Sequence, residues 1–139
     1  MKPSRHVIVS LGVGAVLSLW LNNMYLWVIC LLSGVLVDVD HILEYMMEYG
    51  WRDFTFWKCY KTSESRKFKK MHLVLHSSEL FLLLWFFVVY TRNIYLLAAT
   101  LGYSFHLGLD AIGNRIGVRS YSLLWRAINR FSADKFLGR

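Results

Sequence analysis

Four apolar runs, at positions 7–21, 24–37, 73–90 and 94–112, decide what this chain can fold into. A helix that crosses a bilayer needs about 20 predominantly apolar residues, and the last two runs approach that length. The first two hold only 15 and 14 residues. They reach a crossing length when Arg5 and His6 on one side, and Asp38 to His41 on the other, lie at membrane depth or among the headgroups. The expected spans are then about 6–21, 24–41, 72–90 and 94–112. Composition agrees. The chain is 56% apolar and 18% charged, against roughly 45–50% and ~25% in soluble domains. Its mean hydropathy is +0.39. A single proline excludes collagen-like and linker-rich classes, and two cysteines (Cys30 in an apolar run, Cys59 in a basic stretch) cannot make a disulfide scaffold. The sequence predicts an all-α protein, a four-transmembrane-helix bundle forming one integral membrane domain over residues 1–139, with interfacial amphipathic segments.

Lys2 and Arg5 before the first run suit a signal peptide, but Leu21-Asn22-Asn23 offers no small-residue cleavage site and a second apolar run follows at once. An uncleaved first helix is expected. Asn22-Asn23 and Thr91-Arg92-Asn93 leave room only for tight turns, so the spans pair as two antiparallel hairpins. Of the 16 Lys and Arg residues, two lie at the N-terminus, seven in the 42–71 connection and six in the 115–139 tail, while the turns hold only Arg92. The positive-inside rule places both termini in the cytoplasm of an inner-membrane protein.

With that orientation, all five histidines fall at one depth. His6 opens the first span; Asp38, Asp40 and His41 close the second. His72, His76 and Glu79 open the third, spaced i, i+4, i+7 for one helical face, and His106 with Asp110 closes the fourth. Small residues lead into these groups: His6, Ser10, Gly14 and Ser18; Cys30, Gly34, Asp38 and His41; Ala98, Gly102, His106, Asp110 and Asn114. Small residues mark close helix packing in membranes. Ionisable residues at such depth are costly and functional by default. Imidazoles and carboxylates in this number suit a borderline divalent metal, zinc first and manganese or iron next, with two or more ions. The expected ligands are His6, Asp38, Asp40, His41, His72, His76, His106 and Asp110. Glu79 and Asp40 are the expected catalytic carboxylates, Glu79 as base, ligand or partner of a histidine.

At these residues the chain resembles the membrane-bound metal-dependent hydrolase family, the YdjM/YbcI-like inner-membrane proteins. The resemblance rests on an early His6, on Gly34-Val35-Leu36-Val37-Asp38-Val39-Asp40-His41, on His72-Leu73-Val74-Leu75-His76-Ser77, and on Gly102-Tyr103-Ser104-Phe105-His106-Leu107-Gly108-Leu109-Asp110. It spans nearly the whole chain, including Leu123-Leu124-Trp125. Leu73 and Leu75 stand where the family has Arg and Thr, and Val37 where it has Pro. The resemblance implies hydrolysis without naming a substrate.

Residues 45–61 interleave Tyr45, Tyr49, Trp51, Phe54, Trp57 and Tyr60 with Arg52, Lys58 and Lys61, a pattern suited to the headgroup layer rather than to nucleic acid in a chain this apolar. Lys69, Lys70, Arg115 and Arg119 flank the His/Asp segments and are the expected contacts to an anionic lipid or lipid-like substrate. In the tail, Leu124, Ile128 and Phe131 oppose Arg119, Arg126 and Arg130, which predicts an amphipathic helix on the inner leaflet. Ser77 and Ser78 lack the glycine-rich elbow of a serine hydrolase. The expected function is metal-dependent cleavage of an ester or phosphoester of a lipid or lipid-linked substrate at the cytoplasmic face. The alternatives are a transporter or channel for metal ions or protons, or a metal-stabilised scaffold. The outer halves of the runs are almost purely apolar, which favours an enzyme over a conduit.

Overall fold

A computed structural model describes residues 3–114 and 116–137. The described residues form eight α-helices: α1 (Pro3–Trp20), α2 (Tyr25–Leu36), α3 (Val39–Tyr49), α4 (Phe56–Ser65), α5 (Ser78–Thr91), α6 (Ile94–Gly113), α7 (Leu123–Ile128) and α8 (Ala133–Leu137). Short 3-10 turns lie at Trp51–Asp53, Val74–His76 and Val118–Tyr121, and no strand occurs among the described residues. The protein is all-α. Backbone packing divides it into one unit of residues 1–37 and 79–114, and a second of 38–78 and 115–139.

In the first unit, absent side chains bring three helices together. A Cβ on Gly14 of α1 would sit 3.0 Å from the carbonyl oxygen of Trp27 in α2. One on Gly34 of α2 would run into Ser10 Oγ of α1 and lie 3.1 Å from the Gly102 carbonyl of α6. One on Gly102 would collide with the Cys30 carbonyl and with Ser33 Oγ. Small residues of this kind let helix backbones approach closely. Helix α5 is built differently. Its Leu, Phe, Trp and Val side chains hold no small residue in the interior of the helix, so its backbone cannot come close, and none of its residues is buried. It reaches α6 through Trp85 Nε1, which donates to Ser104 Oγ at 3.1 Å.

Both expected turns are present. Asn22 takes a left-handed φ of 49°, and Asn23 Oδ1 accepts from Tyr25 N at 3.1 Å to start α2. Arg92 does the same at φ 52°, and Asn93 Oδ1 caps α6 by accepting from Tyr95 N and Leu96 N at 2.8 and 3.1 Å. Asparagine suits both places, tolerating tight turns and accepting backbone hydrogen bonds. The spans differ from expectation in two ways. The second is interrupted, although Val37 and Asp38 keep right-handed dihedrals, and the continuous stretch Tyr25–Tyr49 is long and apolar enough to cross a membrane. The third starts at Ser78 rather than 72, leaving α5 with 14 residues. Ser4–Trp20 and Ser78–Thr91 are apolar but shorter than a full crossing.

The second unit replaces what the sequence suggested was a loop and a surface tail. Tyr45, Cys59, Phe68, Met71, Leu73, Ala133 and Phe136 make a core of their own, with Ile42 and Phe54 against it. Met71 N donates to the Phe131 carbonyl and Ala133 N to the Lys69 carbonyl, at 2.9 and 3.0 Å, which joins the connection to the tail. These apolar residues are scattered without helical or strand period, which is why sequence periodicity did not reveal them. Burial pushes the Cys59 thiol up, and its Sγ donates to the His41 carbonyl at 3.5 Å. The hydrogen bond from Lys58 to the exposed Asp53 holds that carboxyl below its usual range. The tail is a correction of orientation: Arg126, expected on a headgroup-facing surface, is buried, while Leu124 and Ile128 are exposed.

Glycine substitutions test the packing of the first unit. Gly102→Ala forces backbone to move, so thermal unfolding in detergent should show a loss of about 1–3 kcal/mol. Gly12, with nothing within 4 Å of an added Cβ, should tolerate alanine or gain up to ~1 kcal/mol from helix propensity. Equal behaviour of the two variants would contradict the close approach of α2 and α6.

Candidate metal centre

In the first unit, α1 and α6 bring together His6, His106 and Asp110. All three are buried, His106 fully, and one donor atom from each lies within 4.8 Å of the others. The imidazoles stack with centroids 4.0 Å apart and planes 21° from parallel. The Asp110 carboxylate faces both, with Oδ1 3.3 Å from His6 Nε2 and Oδ2 3.7 Å from His106 Nε2. These separations exceed the usual 2.7–3.2 Å of an N–H···O hydrogen bond. The shorter equals the edge of a tetrahedron whose corners lie ~2.0 Å from its centre, a zinc–ligand distance, and the longer slightly exceeds the edge of about 3.6 Å for a ~2.2 Å radius.

The surroundings fit the same chemistry. His106 Nδ1 lies 2.7 Å from the Gly34 carbonyl and donates to it, which leaves Nε2 as the lone-pair nitrogen facing Asp110. A ligand histidine almost always anchors its other nitrogen in this way. On His6, Nδ1 is buried and has no hydrogen-bond partner among the described residues. A buried polar atom left unsatisfied costs about 1–3 kcal/mol, and His6 differs from His106 in this respect.

Within the second unit, Asp38, His41 and His76 come near one another at the start of α3 and on the 3-10 turn Val74–His76. Asp38 Oδ1 lies 3.8 Å from His76 Nε2 and 3.9 Å from His41 Nε2, and the two rings are 5.1 Å apart. His76 is buried, whereas Asp38 and His41 are partly open to solvent. Asp40, one residue from His41, is buried and does different work. Its Oδ2 accepts from Leu75 N at 2.5 Å and His76 N at 3.2 Å, and it lies 3.4 Å from His76 Nδ1. Asp40 thus aims His76, with Nε2 turned toward Asp38.

The remaining expected residues fall outside these sets. His72 does not share a helical face with His76, because residues 72–77 are not α-helical. The Glu44 carboxylate takes both the His72 backbone N–H at 2.8 Å and its ring Nδ1 at 2.9 Å, a true hydrogen bond, while Phe131 packs on the ring at 4.5 Å. Glu79 is half-buried in the first turn of α5, a helix that starts after the His72–His76 segment, so the expected i, i+4, i+7 face does not form. Lys69, Lys70 and Arg119 are exposed. Arg115 lies outside the described residues.

Two residues went unnoticed in the sequence. Glu44 follows Asp40 by four positions on α3, and that i, i+4 spacing was a readable signal. Arg126 had none, being one cation of six in a basic tail; it donates to the carbonyls of His72, Leu73 and His76. Between them Leu73 holds a left-handed φ of 41°. For a branched residue that conformation costs on the order of 1–3 kcal/mol and persists only where neighbours enforce it.

No protein-family profile, curated protein or solved structure matches the chain.

Metal content of purified variants separates these roles. His106→Ala and Asp110→Asn should lose metal affinity by more than the ~10–100-fold that removal of a ligand's hydrogen-bonding partner costs. His72→Ala should retain the wild-type stoichiometry and lose thermal stability instead. Loss of metal on His72→Ala, with retention on His106→Ala, would reverse the assignment.

Proposed function

We propose that this chain is a membrane-embedded, metal-dependent hydrolase that cleaves an ester or phosphoester of a lipid or lipid-linked substrate at the cytoplasmic face of the inner membrane. The observation that carries the reading is the buried His6, His106 and Asp110 group, with ligand-edge spacing and the His106 tautomer set by Gly34. Three protein donors leave a fourth position for water or substrate, the pattern of catalytic rather than structural zinc sites. Asp38 Oδ1, 3.8 Å from His76 Nε2, offers a further pair of donors, and we take more than one ion as the reading. Zinc leads by imidazole share, with manganese or iron next. A bound divalent metal would supply Lewis acidity and lower the pKa of its water toward ~7.

The chain's own residues divide the rest. Asp40, with its Oδ2 given to two backbone N–H groups, orients His76 and does not serve as base. Glu79 is the remaining carboxylate for accepting a proton from water. Four membrane spans are our reading of the four apolar runs, and both termini inside our reading of the charge count; large apolar residues exposed on α1 and α5, such as Leu19, Trp20, Val89 and Tyr90, support it. Exposed apolar residues in this number suit a lipid environment. Exposed Trp51, Phe56 and Trp57, with Lys61 Nζ 5.4 Å above the Trp57 ring, suit contact with anionic headgroups.

The test is an assay over phospholipid, lipid-phosphate and acyl-ester substrates in mixed micelles with added zinc or manganese. Wild-type protein should cleave at least one class. Glu79→Gln should keep the metal and lose turnover by ~10²–10⁴-fold. No cleavage across the panel, together with metal or proton flux in proteoliposomes, would replace the hydrolase with a transporter.

A further inference from the structure

Side chains hold most of the backbone of residues 72–76, beside one 3-10 hydrogen bond from His76 N to the Leu73 carbonyl at 3.0 Å. On its N–H side, Glu44 takes His72 N, and Asp40 takes Leu75 N and His76 N. On its carbonyl side a single residue does the work. Arg126 Nη1 donates to the His72 and Leu73 carbonyls at 2.5 and 2.9 Å, and Nη2 donates to the His76 carbonyl at 3.1 Å. Nε reaches the Ser122 carbonyl at 3.4 Å, tying the fork back to the start of α7. The Phe136 ring lies against the guanidinium, 6.0 Å from Cζ.

We propose that Arg126 is a positioning residue for His76: its guanidinium fixes the spacing of three carbonyls and so sets the direction in which His76 Nε2 meets Asp38. Three features carry this. Arg126 is 1% exposed, and at least four of its five N–H donors are committed to main-chain carbonyls, so it is not a surface anchor and has no fork left for an anionic substrate. A planar, rigid guanidinium constrains the carbonyls to one another, which a lysine ammonium on a flexible stem does not. The His76 carbonyl is held by Arg126 while its N–H and ring Nδ1 lie against Asp40, an arrangement that turns Nε2 toward Asp38 at 3.8 Å. The tail, through Arg126, is then part of the site rather than a membrane-surface appendage.

The inference rests on His76 binding metal in the proposed hydrolase, and a double-mutant cycle keeps the two apart. Arg126→Met and Arg126→Lys are made in wild-type and His76→Ala backgrounds. Zinc affinity is read by chelator competition, cobalt-substituted protein by its visible absorption, and folding by thermal unfolding. In the wild-type background Arg126→Met should weaken zinc by ~10–100-fold and change the cobalt spectrum. Arg126→Lys, which keeps the charge and so the best prospect of folding, should recover little. In the His76→Ala background neither substitution should change the residual affinity by more than about twofold, since the interaction runs through His76. Lower unfolding temperature with unchanged affinity and spectrum would overturn the proposal and leave the hydrolase standing. So would equal loss of affinity in both backgrounds. Wild-type protein that binds neither ion would overturn both.

Discussion

The candidate centre depends on one missing side chain. Gly34 lets α2 lie so close to α1 and α6 that Ser10 and the Gly102 backbone fill the space a Cβ would occupy. The same approach puts the Gly34 carbonyl 2.7 Å from His106 Nδ1. That hydrogen bond decides which imidazole nitrogen carries the proton, and hence which one can offer a lone pair beside Asp110. Packing and chemistry are therefore one constraint in the first unit. A residue large enough to separate the helices would also remove the partner that orients the ligand.

The second unit solves a different problem with different means. His76 must be held at the end of an irregular segment, where no α-helix supplies hydrogen bonds. Buried Asp40, Glu44 and Arg126 supply them, and charged groups make stronger hydrogen bonds than neutral ones, about 1.5–3 kcal/mol each. The cost is desolvation of three charges and a left-handed Leu73. A helix through 72–77 would have avoided both. It would also have pointed His72 and His76 along one face, which is the arrangement the i, i+4 spacing suggested.

What was legible follows from which physics has a sequence period. The apolar helices α1, α2, α5 and α6 in outline, both asparagine turns and the stripe of small residues running into His6 and into His106 with Asp110 were readable, because helical spacing and backbone approach leave marks on the chain. The break before α5 was not, since Asp40, Glu44 and Arg126 act on it from positions 28 to 54 residues away. Nor was the orientation of Arg126, which shares its composition with the anchoring cations around it. Likewise the stand-off of α5 was visible only in hindsight, in the lack of small residues that the other three helices have.

The most direct measurement is X-ray absorption at the metal edge of detergent-purified protein supplied with zinc. The account predicts stoichiometric metal with nitrogen and oxygen neighbours at ~2.0–2.2 Å and outer-shell scattering from imidazole that falls in His106→Ala. Zinc surrounded by water oxygens alone, or an imidazole signal unchanged by that substitution, would contradict it.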